Sequence, residues 1–210
     1  MRYGTQVCYE DVLLRILKEG KKLTIIGHKY MKRKRLSLLA LFLLMITCTS
    51  FVINQYTPNY FEKAKTAQTK YRTTRKDYVI VVDYTKSIYL ERLYVLDMKT
   101  GEIVIRSTVA HAWKSGVLYP NNFSNKDGSN MSSAGCYVTA GTYKGLWGYS
   151  MKIRGLDKGV NDRAEARYII FHSSKKMKTV WSYGCFATPE ETNKKIIDLT
   201  KNGCLVCIIN

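Results

Sequence analysis

An uncharged, mostly apolar run from Leu36 to Ile53 (LSLLALFLLMITCTSFVI) constrains this chain more than any other feature. It is 18 residues long. At about 1.5 Å per residue, that is near the shortest helix able to cross a hydrocarbon layer of roughly 30 Å. It follows directly on Lys32, Arg33, Lys34 and Arg35 and gives way to a polar stretch. A basic flank, an apolar run and a polar continuation form the pattern of a secretory signal or signal anchor. A core helix of a soluble domain would interleave polar residues at helical spacing, and this run does not. No small-x-small cleavage site follows, so the expectation is an uncleaved anchor over 36–53. Cys48 is a poor match to a lipoprotein acylation box, because Thr47 is larger than the small residue found there.

Charge divides along the same line. The chain has 34 Lys plus Arg against 16 Asp plus Glu, a formal +18. Residues 1–35 hold ten basic and three acidic side chains, and residues 54–210 hold 24 and 13. The positive-inside rule places 1–35 in the cytoplasm and 54–210 outside, in the cell envelope, periplasmic or extracytoplasmic, membrane-anchored or secreted. Residues 1–35 read as a basic leader. Met31 opens an ordinary signal sequence by itself, which makes it an alternative start. The net +11 outside faces the cell wall and its anionic polymers rather than nucleic acid, for which no RNP-like or zinc-finger signature is present. The 16 Tyr, 6 Phe and 3 Trp exclude disorder of the whole chain, and six Cys are too sparse for a disulfide scaffold.

The exported part begins with a polar, basic segment, 54–77, expected as a stalk or a covering helix. From residue 78 the pattern turns to period two. Tyr78–Tyr84, Arg92–Met98 and Ile103–Ala110 read as strands, the last two joined at Lys99-Thr100-Gly101-Glu102. Residues 114–133, rich in Gly, Ser and Asn, read as a long loop. Further strands are expected at 135–140, 148–154, 167–172 and 204–209. Thr188, Pro189 and Glu191 predict a helix start with a capping box, Ile196, Ile197 and Leu199 its buried stripe, and Gly203 its end. The expected domain, 78–210, is mainly β with one or two helices.

Two stretches carry the chemistry. Arg167-Tyr-Ile-Ile-Phe-His172-Ser173 is a strand ending in histidine, and Ser182-Tyr183-Gly184-Cys185 is a small-residue loop before the helix. A thiol nucleophile needs a base to become thiolate near neutral pH, and histidine is the usual one. Gly184 lets the chain turn so that backbone N–H groups can meet a developing oxyanion.

These stretches resemble the YkuD-like L,D-transpeptidase family, in its murein L,D-transpeptidase branch. The resemblance rests on His172-Ser173, on Ser182-x-Gly184-Cys185, and on Gly155-Leu-Asp-Lys-Gly-Val-Asn-Asp162 with Ala164 and Arg167. Arg92-Leu-Tyr-Val-Leu-Asp97, Phe123-Ser-Asn125, Tyr143-x-Gly145 and Gly148-Tyr-Ser150 extend it over about 78–209. It implies a YkuD-like β-sandwich or barrel, with Cys185 as nucleophile, His172 as base and the Ser173 carbonyl orienting the imidazole. Ser182, Tyr183 and Gly184 would shape the oxyanion pocket. Arg167, Trp147 and Tyr149 are candidate substrate contacts. The implied reaction is acyl transfer on peptidoglycan tetrapeptide stems, through a thioester, to 3-3 crosslinks. No cofactor or metal is implied, and the domain is expected to act as a monomer. Departures are the short spacing of 12 residues between His172 and Cys185, Ala187 where many members carry Arg, and Trp147 where the branch often has His.

Other residues read more plainly. Cys136 is expected in core packing. Cys204 and Cys207, three apart on a strand, face opposite ways and form no zinc site, and a disulfide among the three is left open. His28 and His111 read as surface or structural, Arg167 also as a salt-bridge partner within the fold, and Asn161 and Asp162 as turn-formers. Two alternatives to a transpeptidase stand beside it: an L,D-carboxypeptidase on the same stems, and an inactive envelope-binding domain.

Overall fold

The structure, a computed structural model, describes residues 59–210 continuously and scattered positions between 15 and 45. The chain divides into two units, 1–58 and 59–210. In the first, the described positions are helical and exposed, among them Ser37, Leu39, Leu41, Phe42 and Met45 of the apolar run. The rest of the expected anchor lies outside the described residues. Among the described residues, no helix is long and apolar enough to cross a membrane.

In the second unit the chain runs α1 (Tyr60–Lys70), β1 (Tyr78–Asp83), β2 (Leu93–Asp97), β3 (Ile103–Ser107), a 3₁₀ turn (Trp113–Ser115), β4 (Cys136–Gly145), β5 (Gly148–Gly155), β6 (Ile170–Ser173), β7 (Phe186–Thr188), α2 (Glu190–Thr200) and β8 (Leu205–Ile209). All eight strands join one sheet in the order β3-β2-β1-β8-β4-β5-β6-β7. The expected sandwich of two sheets is therefore replaced by one. The sheet still approaches a barrel. Past the end of β3, the Ala110 N–H donates to the Ala187 carbonyl at 2.9 Å. Ala112 and Ser182 form an isolated parallel bridge. Its two edges thus meet through irregular backbone.

Both faces of the sheet are covered, which explains the unbroken apolar run of β1. Ile80 and Val82 face the larger core with Tyr137, Met151, Phe171, Phe186 and Ile196 and Ile197 of α2. Val79 and Val81 face the smaller one with Tyr94, Leu96 and Leu205. The segment expected as a stalk or covering helix supplies α1, which lies over this second face. Its Tyr60 and Ala64 are buried. The Tyr60 ring stacks on Tyr94 at 4.4 Å, and its hydroxyl donates to Asp83 at 2.6 Å. Burying that ring contributes on the order of 2 kcal/mol.

Three local departures bear on the site. The strand expected from 167 starts only at Ile170, because 161–168 is a series of turns ending at Tyr168, whose φ is 54°. Thr188 belongs to β7, a strand the sequence pattern missed, and hydrogen-bonds to Asn193 instead of capping a helix; Pro189 is the N-cap of α2 and makes no side-chain cap bond. Cys136 does more than pack: β4 and β8 pair it directly with Cys207, and the two form a disulfide closing a separation of 71 residues. Cys204, just before β8, is a buried free thiol.

Candidate active site

β6 and β7 are parallel neighbours, which sets His172 on β6 beside Ala187 and two positions along from Cys185, in the bend just before β7. Their register pairs Phe171 with Phe186 and His172 with Ala187. The two Phe rings stack at 4.8 Å and anchor this corner in the core. Strand alternation then turns His172 and Ala187 to the other face.

The imidazole is buried, 3% exposed. Its Nδ1 lies 2.8 Å from the Ser173 carbonyl oxygen. A carbonyl can only accept, so Nδ1 carries the proton and Nε2 holds the free lone pair. Burial lowers the His172 pKa below the ordinary imidazole value, partly offset by the Ser173 carbonyl. Trp147 stacks on the ring at 5.0 Å, tilted 29°. The residue read as a rim contact thus forms one wall around the imidazole.

The Cys185 thiol is half-buried and donates to the Tyr168 carbonyl at 3.5 Å. Burial pushes its pKa up, while the Ile170 backbone N–H and the charge of Arg167 pull it back.

The loop before the cysteine is tightly held. The Ser182 N–H donates to the His111 carbonyl at 2.9 Å, and the Trp113 N–H to the Ser182 carbonyl at 3.1 Å. The Ser182 hydroxyl donates to the Cys185 carbonyl at 2.8 Å and accepts from the Gly184 N–H at 3.1 Å. The Gly184 amide, expected free for an oxyanion, is therefore engaged. Gly184 has φ 136°, and a Cβ there would sit 3.4 Å from the Met131 carbonyl. Tyr183, in contrast, is 73% exposed.

Among the described residues Arg167 has no ion pair; its guanidinium is taken up by neighbouring backbone and hydroxyls. Its guanidinium donates to the Ser124 carbonyl and the Ser133 hydroxyl, both at 2.6 Å, to the Ser129 hydroxyl at 3.2 Å and to the Met131 carbonyl at 2.7 Å. None of these is a carboxylate, so the positive charge is left to act on the thiol nearby. Arg167 thereby fastens the loop 124–133. Tyr149 lies apart from the thiol and donates its hydroxyl to Asp198 at 2.9 Å.

Behind the loop stands a buried pair, Arg92 and His111, both 0% exposed. Arg92 donates to the Val109 carbonyl at 2.7 Å and to His111 Nδ1 at 2.8 Å, and His111 Nε2–H donates to the Gly116 carbonyl at 2.9 Å. Of the two readings for His111, this is the structural one. Asn161 likewise bridges backbone, donating to the Ala134 and Cys136 carbonyls at 2.9 and 2.8 Å. Tyr168, whose carbonyl accepts from the thiol, was not legible: it acts through backbone, which side-chain identity does not report.

Residues 53–209 match a family model described as the L,D-transpeptidase catalytic domain. No curated protein matches the chain. Among solved structures, one similar to it is an L,D-transpeptidase from Stackebrandtia nassauensis: 13% identity, 68% of this chain and 60% of that one covered, TM-score 0.42. A second is an L,D-transpeptidase from Mycobacterium smegmatis, with 10% identity, 64% and 59% coverage and a TM-score of 0.40. A third is the helical cell shape determining protein Pgp2 from Campylobacter jejuni, with 11% identity, 65% and 48% coverage and a TM-score of 0.45. The chain spans about half to three fifths of the length of these proteins.

Proposed function

Because the chain belongs to the L,D-transpeptidase catalytic-domain family, we propose that it is a cysteine-dependent L,D-transpeptidase acting on peptidoglycan tetrapeptide stems. One observation supports the reading: His172 lies on β6 and Cys185 in the bend that leads into its parallel neighbour β7, with the imidazole tautomer fixed by the Ser173 carbonyl. His172 Nε2 takes the Cys185 proton as sulfur attacks the carbonyl carbon preceding the terminal D-residue. The C–N bond breaks, the D-amino acid leaves with the proton returned by the imidazolium, and a thioester remains. The side-chain amine of a second stem then attacks the thioester. A C–N bond forms, the C–S bond breaks, His172 removes the amine proton and Cys185 recovers it. The product is a 3-3 crosslink. Water in place of the amine gives the carboxypeptidase outcome.

Ser182, Tyr183 and Gly184 shape the pocket for the oxyanion, the Gly184 N–H exchanging the Ser182 hydroxyl for the substrate oxygen. Residues 36–53 serve as a signal anchor that places this chemistry in the cell envelope, outside the cytoplasm.

The test is incubation of the protein with purified tetrapeptide-stem muropeptides, followed by mass spectrometry. A Cys185-linked acyl adduct and D-amino acid release are expected from the wild type and neither from Cys185→Ala. Equal silence from both would leave an envelope-binding domain as the reading.

A further inference from the structure

A cavity of about 240 Å³ opens just upstream of Cys185, lined by Trp113, Thr179, Trp181, Ser182 and Tyr183. None of these side chains is charged, and three are aromatic. The seam between the two edges of the sheet builds it. Ala112 and Ser182 form the isolated bridge there, and the Trp113 N–H donates to the Ser182 carbonyl at 3.1 Å. The Trp181 indole N–H donates to the Val117 carbonyl at 2.8 Å, which sets the angle of that ring. Trp113 is 50% exposed and Tyr183 73%. Among the described residues, neither ring stacks on another. Aromatic surface left in water beside a polar rim marks a binding surface rather than a fold contact.

We propose that this cavity is a glycan subsite, which holds one sugar ring of the strand that carries the stem. The inference rests on the acyl-transfer reading above and adds to it a contact outside the peptide. Three physical reasons point this way. A pyranose has apolar C–H faces and a rim of hydroxyls, so it lies on an aromatic ring while its edge hydrogen-bonds. Here the indole and phenol rings supply the faces. The Tyr183 hydroxyl and the Thr179 hydroxyl, which donates to the Trp181 carbonyl at 3.0 Å and can still accept, supply the edge. An uncharged lining suits a neutral unit and gives a buried ion no partner. The volume is below the roughly 300–1,000 Å³ of pockets that enclose a whole ligand, and so suits one unit of a polymer. Position agrees with chemistry. Three stem residues separate the scissile carbonyl from the sugar, a reach of up to about 10 Å. Ser182 stands three residues before Cys185, so cavity and thiol lie within a similar span.

The experiment uses the full-length protein and two donors, the free tetrapeptide and the same tetrapeptide on its disaccharide. D-amino acid release gives kcat/KM for each. The wild type should favour the disaccharide donor by about tenfold, the equivalent of one aromatic stacking contact. Trp113→Ala should abolish that preference and leave release from the free tetrapeptide unchanged, and Trp113→Phe should restore most of it. If Trp113→Ala folds poorly, seen as loss of release from both donors, Trp113→Leu keeps apolar bulk without a ring and should show the same loss of preference. Calorimetric titration with an uncharged N-acetylglucosamine tetramer should show binding to the wild type and none to the variant without a ring. Equal kcat/KM for the two donors in the wild type would overturn the assignment, as would a preference that survives in Trp113→Leu. A concentration-dependent dimer lost in Trp113→Ala, without donor preference, would give the surface to a second copy and overturn it too. Absence of release from both donors in the wild type would instead overturn the acyl-transfer reading. The tetramer titration then decides the subsite alone: binding lost in Trp113→Leu upholds it, and no binding to the wild type overturns it.

Discussion

Acidification should destabilise the catalytic domain through His111. In the fold its Nδ1 accepts from Arg92 and its Nε2–H donates to the Gly116 carbonyl, so a second proton would face a guanidinium. Burial, aided by the charge of Arg92, lowers its pKa from 6.5 to about 4. The folded state therefore favours neutral His111. This contribution is complete above the unfolded value of 6.5 and is lost as pH falls toward 4. Linkage across that interval gives about 2.5 kcal/mol lost between pH 7.5 and 4.5, a large part of a typical stability. His111→Gln keeps an acceptor for Arg92 and a donor for Gly116 but does not titrate. Chemical denaturation followed by tryptophan fluorescence suits the measurement, because Trp113, Trp147 and Trp181 all lie in this domain. Carboxylates and His172 titrate in both proteins and cancel in the difference. The gap between wild type and variant should shift by about 2.5 kcal/mol against the wild type on acidification. Parallel pH profiles, agreeing within about 1 kcal/mol, would refute the account of His111 as a neutral hydrogen-bonding hub.

Three further outcomes follow from the packing. Gly155→Ala would put a Cβ 1.9 Å from the Asn161 carbonyl oxygen. It should cost more than about 2 kcal/mol, read as a drop in thermal midpoint. Reducing the Cys136–Cys207 bond releases a separation of 71 residues. By loop-closure entropy it should cost up to about 4 kcal/mol, seen by comparing denaturation with and without reductant. Arg167→Met should move the pH midpoint of Cys185 alkylation upward, since the guanidinium charge lowers that thiol's pKa. Arg167→Lys should restore part of the shift, whereas a purely structural role would slow alkylation equally at every pH.

The legible part of this protein is the part written in side chains. Alternation in β1 to β3, the stripe of Ile196 and Ile197 on α2, and the two stretches holding His172 and Cys185 all announce themselves by residue type and spacing. β7 does not, because its three residues sit between a motif and a proline. The late start of β6 depends on the positive φ of Tyr168, and tyrosine gives no local sign of that conformation. Pairing of Cys136 with Cys207 depends on β8 inserting between β1 and β4, a crossover that strand patterns leave open. Arg167 was recognisable as important, but its partners, three serines and a methionine carbonyl, lie 34 to 43 residues away in a loop without periodicity.

The irregular closure of the sheet has a dynamic consequence. Elsewhere the strands are held by paired ladders and two apolar cores. Between 110–113 and 182–187 the connection consists of a few backbone bonds: Ala110 to Ala187, Ser182 to His111 and Trp113 to Ser182. Cys185 lies within that seam. Small local openings are cheapest where few hydrogen bonds and little apolar contact must be given up. The seam beside the thiol is therefore expected to open locally before the corner formed by Phe171 and Phe186 does. Amide exchange at Ala110, Trp113 and Ser182 should be faster than at β1 or β8, which would make this line the hinge of the enzyme rather than its flaw.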